Sequence, residues 1–276
     1  MRATFASVPG SDEKPNEDAV FASGQALIVV DGVTAPGGLN TGCVHGTPWY
    51  ANNLATRIGA VVTEKTGIEL RVALAQALSD VAESHRDTCD LDSDGTPSGT
   101  VAILRISNQT LDYLVLSDAT AIIETVSGVK VITDKRVDEV VTDLAEAAKA
   151  APAGTPERKA RLAEFVTEQR KHRNVLGGYW LAGALPEAAE HALAGGVPLS
   201  EVRRAALMTD GAAALVDLYG RTTWEKAPTE LENNGPAQWI ERVRQAERDD
   251  ASAVRWPRFK RGDDATVAYI EPAVDR

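Results

Sequence analysis

Two apolar runs in this sequence end in the same way, with an aspartate followed by a glycine. "ALIVVDG" covers residues 26–32 and reaches Asp31, and "AALMTDG" covers residues 205–211 and reaches Asp210. Unbroken apolar runs bounded by turn residues are typical of strands buried inside a sheet. An acid at the end of such a strand, followed by a residue without a side chain, leaves room for a metal ion or a phosphate near the backbone. The pattern therefore predicts a sheet-based fold with carboxylates at its strand ends.

Further acids occupy comparable positions along the chain. Glu17 and Asp18 precede a short apolar run, Asp118 lies in a turn between two predicted strands, and Asp263 and Asp264 precede the last strand. Any single one of these acids is typical of an ordinary turn or cap. Together they favour a site for Mg²⁺ or Mn²⁺, which take oxygen ligands. A pair of such ions activates water and neutralises a phosphoryl group.

Composition limits the partners of the chain. The 276 residues carry a net charge of -11 and form no long basic block, which disfavours nucleic acid and anionic membranes as partners. Cys43 and Cys89 are the only cysteines, too few for a disulfide scaffold and without a recognisable metal-binding spacing. The early polar residues disfavour a secretory signal, so we expect a cytoplasmic protein with one domain over residues 1–276.

The hydrophobic pattern predicts an α+β fold. One-sided helices are predicted to begin at Thr47 and at Thr66, where Thr66 and Glu69 have the spacing of a capping box. Helices that cover the outer faces of two packed sheets accommodate all the elements. The predicted elements are strands at 2–8, 18–23 and 26–31, a meander over 98–133, a helical insertion over 134–196, a strand from 203, a helix over 235–249 and a strand over 264–270.

Six motifs, taken in order, resemble the metal-dependent protein phosphatases of type 2C, the PPM family, in its bacterial branch. They are "NEDAVF", "VVDG", "SGTVA", "LVLSDATAII", "LMTDG" and "GDDATVAYI", and the similarity spans about residues 1–271. The resemblance implies a four-layer α-β-β-α sandwich of two antiparallel sheets flanked by helices. It also implies two Mn²⁺ or Mg²⁺ ions, with a weaker third, and hydrolysis of phosphoserine and phosphothreonine in proteins by a metal-activated water.

The resemblance also assigns roles to individual residues. Asp31 matches the carboxylate that bridges both metals, and Gly32 matches the residue that lends its backbone carbonyl. The other matches are Asp210 and Asp263 as ligands of the first metal, Glu17 and Asp18 as holders of metal-bound waters, Asp118 as the acid at the third metal, and residues 134–196 as the variable flap.

Two departures from the family pattern concern substrate contacts. Glu13 stands where the family has a phosphate-binding arginine, and Lys14 beside it is either a substitute phosphate contact or a solvated lysine. Val33 stands where eukaryotic members have a histidine thought to protonate the leaving group. His45, in "GCVHGTPWY", is either a substitute acid or an ordinary residue at a helix start. We expect the other histidines to be structural.

These departures leave two alternatives to a protein phosphatase. The first is a phosphatase of a small phosphorylated metabolite, such as a biosynthetic intermediate. In that case "NVLGGYWLAG", residues 174–183, is a mobile lid that carries Tyr179 and Trp180 over the substrate. The alternative is that these two residues are ordinary buried aromatic anchors. The second alternative is a catalytically impaired regulatory protein that keeps the fold as a binding module.

Overall fold

The computed structural model describes residues 2–33, 41–152 and 154–272. The strands in this part of the chain are β1 (Arg2–Val8), β2 (Asp18–Ala22), β3 (Ala26–Val33), β4 (Ser98–Ser107), β5 (Thr110–Leu116), β6 (Thr120–Thr125), β7 (Gly128–Ile132), β8 (Leu193–Pro198), β9 (Val202–Met208) and β10 (Ala265–Glu271). The helices are α1 (Thr47–Glu64), α2 (Leu70–His85), α3 (Arg136–Glu139), α4 (Thr142–Ala150), α5 (Pro156–Arg170), α6 (Asp210–Asp217) and α7 (Ala227–Asp249).

The strands form two antiparallel sheets packed face to face. The first sheet has the order β1-β10-β9-β6-β7, and the second has the order β2-β3-β4-β5-β8. Leu27, Leu104, Leu207 and Ile270 belong to the apolar layer between the sheets. Helices α1 and α2 cover the outer face of the second sheet, while α6 and α7 cover that of the first. This confirms the predicted α+β four-layer sandwich.

The predicted meander over 98–133 is wrong. Strands β4 and β5 pair in the second sheet, whereas β6 and β7 pair in the first. The chain changes sheets at a turn containing Asp118, where Ser117 has a φ of 65°. Strands on either side of such a crossing are buried in the same way as neighbours in one sheet, so periodicity does not separate the two cases.

The predicted helix starts are correct for α1 and wrong for α2. Helix α1 begins at Thr47 with a proline in its first turn, although Gly46 rather than Thr47 occupies the N-cap. Helix α2 begins at Leu70, its N-cap is Glu69, and no side chain caps it. Thr66 instead lies in the turn before the helix, where Ile68 N–H donates to Lys65 O at 3.0 Å.

The predicted helical insertion over 134–196 is helical only in part. Its first helical stretch is divided into α3 and α4, because Val140 is extended and Val141 has a φ of 49°. β-branched residues are poor helix formers, which favours a break at this pair. Strand β8 then pairs with β5, so the second sheet resumes at Leu193.

In the segment 174–183 the two aromatic side chains are buried anchors and not part of an exposed lid, whereas Val175 and Leu176 are exposed. Tyr179 and Trp180 are 4% and 8% exposed. Trp180 stacks on His191 with ring centroids 3.5 Å apart, and Ala182 N–H donates to Gly99 O at 2.8 Å. The C-terminal part of the segment is therefore fastened to the start of β4.

Helix α7 starts eight residues before the predicted helix at 235, and Gly235, with a φ of 76°, interrupts its regular conformation. None of the helices in the described ranges is both long and apolar enough to cross a membrane.

Candidate metal centre

Two of the predicted acids face each other across the β2–β3 pair. Asp18 lies opposite Asp31 in the antiparallel register. The next residue, Gly32, donates its N–H to Glu17 O at 3.1 Å. A Cβ on Gly32 would lie 2.6 Å from Glu17 O and 2.5 Å from a methyl carbon of Thr47. Glycine is therefore required for β2, β3 and the start of α1 to meet at this point.

Asp210 and Asp263 come together at the same end of the first sheet. Asp210 is the first residue of α6, directly after β9, while Asp263 lies just before β10, the neighbour of β9. A Cβ on Gly211 would lie 2.0 Å from Asp264 O and 3.2 Å from Asp263 Cβ. The absence of a side chain at Gly211 thus allows the two aspartate-bearing segments to touch.

Asp264 fastens the N-terminal loop to this end of the sheet. Its Oδ1 accepts a hydrogen bond from Gly10 N–H and its Oδ2 accepts one from Glu17 N–H, each at 2.7 Å. Both carboxylate oxygens are therefore engaged with the backbone. Asp264 positions Glu17 and Asp18, whereas its neighbour Asp263 remains available as a ligand.

A buried hydrogen-bond chain connects the two sheets beneath the acids. Thr266 N–H donates to Thr209 Oγ1, and Thr209 Oγ1 donates to Asp18 Oδ2, both at 2.9 Å. The other carboxylate oxygen, Asp18 Oδ1, is buried and has no hydrogen-bond partner among the described residues. A buried carboxylate oxygen without a donor costs free energy unless a cation or an ordered water satisfies it.

Burial, reinforced by the charges of neighbouring acids, raises the pKa values of three of these aspartates. The pKa of Asp31 lies well above its usual range because burial and the charges of Asp210, Asp18 and Asp263 disfavour its ionised form. Burial raises the pKa of Asp18 to about 8, against the opposing hydrogen bonds from threonines. Burial and Asp210 raise the pKa of Asp263 to about 6. Full ionisation of this group of acids requires compensating positive charge.

Asp118 belongs to the same electrostatic group, together with an acid that the sequence analysis missed. Burial, followed by the charges of Asp210 and Asp138, raises the pKa of Asp118 to about 8. Asp138 lies on α3, and burial together with Asp210 raises its pKa as well, against the attraction of Lys135 and Lys149. The segment after β7 thus brings its own carboxylate towards the site. Its position in a one-turn helix gave no sequence signal.

A lysine that the sequence analysis also missed reaches the acids. Lys260 Nζ lies 2.7 Å from Asp263 Oδ1, and its side chain is 63% exposed. Although burial opposes ionisation, the charges of Asp263, Asp31 and Asp210 raise the pKa of Lys260. Lys14, in contrast, is exposed and forms no hydrogen bond or ion pair with any described residue that would bring it to the acids. Lys260 lies in an irregular segment, so no periodic pattern in the sequence indicated it.

His45 lies in different surroundings from those expected of a substitute acid. Its Nδ1 is 3.3 Å from Cys89 Sγ and 3.8 Å from Cys43 Sγ, and its ring stacks on Trp49. Within the described ranges it makes no hydrogen bond or ion pair with the carboxylates. Val33 ends β3, and the glycine- and proline-bearing residues 34–40 that follow lie outside the described residues.

The donor set fits hard divalent cations. Its members are carboxylate oxygens, a ligand type that Mg²⁺ and Mn²⁺ prefer. Asp18 Oδ1, which is buried and has no partner in the described part of the chain, and the close backbone approaches at Gly32 and Gly211 agree with a site built for cations.

Comparisons with known proteins identify the fold. No protein-family model matches the sequence, and no curated protein is significantly similar to it. Among solved structures, the serine/threonine phosphatase Stp1 from Staphylococcus aureus superposes with a TM-score of 0.60 at 15% identity, covering 99% of this chain and 96% of Stp1. The serine/threonine phosphatase PstP/Ppp from Mycobacterium tuberculosis gives 0.56 at 17% identity, covering 98% and 97%.

A structure of the PstP catalytic domain in complex with two manganese ions gives a TM-score of 0.53 at 15% identity, covering 98% of this chain and 97% of that domain. Identities this low establish the fold alone. The chain has the fold of the PPM-type serine/threonine phosphatases.

Proposed function

We propose that this protein is a phosphomonoester hydrolase that depends on Mn²⁺ or Mg²⁺ and acts on phosphoserine and phosphothreonine in proteins. The observation that carries the proposal is the convergence of Asp18, Asp31, Asp210 and Asp263 at one end of the sandwich. Carboxylates repel one another in such an arrangement unless cations lie between them. Four acids at one point would lower the stability of a fold that bound no cation there.

In this proposal Asp31, the carbonyl of Gly32, Asp210 and Asp263 hold the ions. Glu17 and Asp18 would hold waters beside the ions, and Asp118, with Asp138 nearby, would serve a weaker third ion. When bound, the ions would activate water for attack and neutralise the charge of the phosphoryl group. The two manganese ions in the PstP catalytic domain support two ions here as well.

Lys260 is the residue that we assign to the substrate phosphate. Its ammonium group is 63% exposed and ion-paired to Asp263, so it lies beside the proposed ligands while it remains accessible. Lysine binds phosphate as a point charge and lacks the two-pronged geometry of arginine. Glu13 is exposed and repels a phosphate that approaches it, and Lys14 makes no contact that would hold it at the acids.

The class of substrate is proposed from the structural neighbours, which are described as serine/threonine phosphatases. The metabolite alternative loses one of its arguments, because Tyr179 and Trp180 are buried. We therefore place phosphoproteins first and use metabolites as the comparison in the test. We further propose a single domain over residues 1–276.

The first test is hydrolysis of p-nitrophenyl phosphate with added Mn²⁺ or Mg²⁺. We expect metal-dependent turnover that is lost in Asp210→Asn and kept in Asp143→Asn, a matched change of an exposed aspartate on α4. Phosphoserine and phosphothreonine peptides are then compared with a panel of sugar and nucleotide monoesters. Preference for the panel would assign the enzyme to small molecules.

Absence of turnover with every metal and substrate, while calorimetry still detects ion binding, would instead favour a regulatory binding protein. Absence of ion binding would overturn the proposed metal centre itself.

A further inference from the structure

A second group of metal-binding side chains lies apart from the carboxylates. Cys43 and His45 come from the segment before α1, while His85 is the last residue of α2 and Cys89 follows it. One ligand atom from each of the four residues lies within 4.8 Å of every other. The spacing of the cysteines did not predict a metal site, and His85 was expected to be structural. The fold brings a Cys-x-His pair next to a His-x₃-Cys pair.

The distances suit a single tetrahedral ion. With Zn–S bonds of about 2.3 Å and Zn–N bonds of about 2.0–2.1 Å, tetrahedral ligands lie about 3.8 Å apart for two sulfurs and about 3.6 Å apart for sulfur and nitrogen. Cys43 Sγ lies 3.8 Å from Nδ1 of both His45 and His85. Cys89 Sγ lies 3.3 Å from His45 Nδ1 and from Cys43 Sγ. All four separations are within about half an ångström of the edges of a zinc tetrahedron.

The surrounding structure holds the four side chains in place. Trp49 stacks on the His45 ring at 4.2 Å and contacts the His85 ring at 5.0 Å between centroids. His85 is 3% exposed, whereas both cysteines are partly accessible. Asp90 N–H donates to Gly42 O at 2.8 Å, which joins the two ligand-bearing segments through their backbones.

We propose that Cys43, His45, His85 and Cys89 bind one Zn²⁺ ion in a structural site. Two thiolates and two imidazoles are a donor set that zinc accepts in closed tetrahedral sites, while Mn²⁺ and Mg²⁺ prefer the oxygen donors of the carboxylate group. The protein thus has two metal centres that select their ions by ligand chemistry.

The position of the zinc site gives it a structural task. It links the C-terminal end of α2 to the segment that enters α1 at Thr47, and Thr47 packs against the position of Gly32, next to Asp31. Bound zinc therefore fixes the start of α1 close to the proposed phosphatase centre. The proposal of a zinc site stands whether or not the carboxylate centre is catalytic.

The test is the zinc content of the untagged full-length protein, purified under reducing conditions and dialysed, measured by mass spectrometry of the metal. We expect one zinc per chain in the wild type and in His172→Asn, a control histidine outside the cluster. We expect none in Cys43→Ser or Cys89→Ser. Asp210→Asn should keep its zinc and lose only its response to Mn²⁺, which separates the two metal centres.

Cobalt substitution of the wild type covers the case in which the cysteine variants do not fold. Protein stripped with a chelator should, on addition of Co²⁺, acquire the visible absorption of tetrahedral cobalt and a thiolate charge-transfer band, both removed by Zn²⁺. An octahedral cobalt spectrum without thiolate bands, or two free thiols and no zinc, would overturn the proposal.

Discussion

The close approach of Gly211 to Asp264 predicts a large effect of the substitution Gly211→Ala. The added Cβ would lie 2.0 Å from Asp264 O, where an ordinary contact is 3.4 Å or more, so the two segments must separate by about 1.4 Å. These segments carry Asp210 and Asp263. Misplacement of reacting groups by about 1 Å costs on the order of 10²-fold in rate, so we expect a loss of kcat/KM of that size.

The assay is Mn²⁺-dependent hydrolysis of p-nitrophenyl phosphate, together with Mn²⁺ calorimetry and thermal unfolding. Overpacking costs about 1–3 kcal/mol of stability, so the unfolding midpoint should fall while the variant stays folded at the assay temperature. Gly67→Ala is the matched control, because a Cβ there meets no atom within 4 Å. A folded Gly211→Ala variant with wild-type activity and Mn²⁺ affinity would refute the joint use of Asp210 and Asp263.

Three further predictions concern charge. Lys260→Gln should raise KM for phosphate esters, and Lys260→Arg should bring KM back most of the way to its wild-type value. Lys14→Gln should change KM little. Equal effects of the two glutamine variants in steady-state kinetics would contradict the assignment of Lys260. Burial raises the pKa of Asp18 to about 8, so metal-free protein should lose stability as the pH rises from about 4 towards 8, because the folded state binds the proton more tightly. Mn²⁺ needs the ionised acid, so it should stabilise the protein most at the alkaline end of this range. Thermal melts across the range, in chelator and in Mn²⁺, check the direction in which stability changes with pH. Arg105→Met should cost about 3 kcal/mol in urea unfolding, because the 7% exposed guanidinium pairs with an aspartate on β5 at 2.7 Å. Arg86→Met, which removes a pair whose arginine is 57% exposed, should cost under about 1 kcal/mol.

The layers of the fold followed from local patterns in the sequence. The one-sided pattern that begins at Thr47 predicted α1, and the apolar run ending at Asp31 predicted β3. The sheet change at Asp118 was not predictable in this way, because strands buried in either sheet have the same apolar run. The capping box at Thr66 failed because residues 65–68 form a turn closed by the hydrogen bond from Ile68 N–H to Lys65 O, and Glu69 takes the N-cap.

The sequence indicated those residues of the candidate metal centre that lie at the ends of predicted strands. Asp31, Asp210 and Asp263 lie at strand ends that the fold brings to one edge. Lys260 and Asp138 lie in irregular or short segments, so only the folded chain shows that they approach the acids. The Cys/His cluster was missed because its two pairs lie about forty residues apart and each is too short to indicate a metal by itself.

The measurement that tests the central claim most directly is Mn²⁺ titration calorimetry of the wild type and Asp31→Asn, with phosphatase activity measured on the same samples. We predict that the wild type binds two tight ions and turns over substrate, while Asp31→Asn loses tight binding and activity together. An Asp31→Asn protein that binds Mn²⁺ with unchanged stoichiometry and affinity would contradict the account.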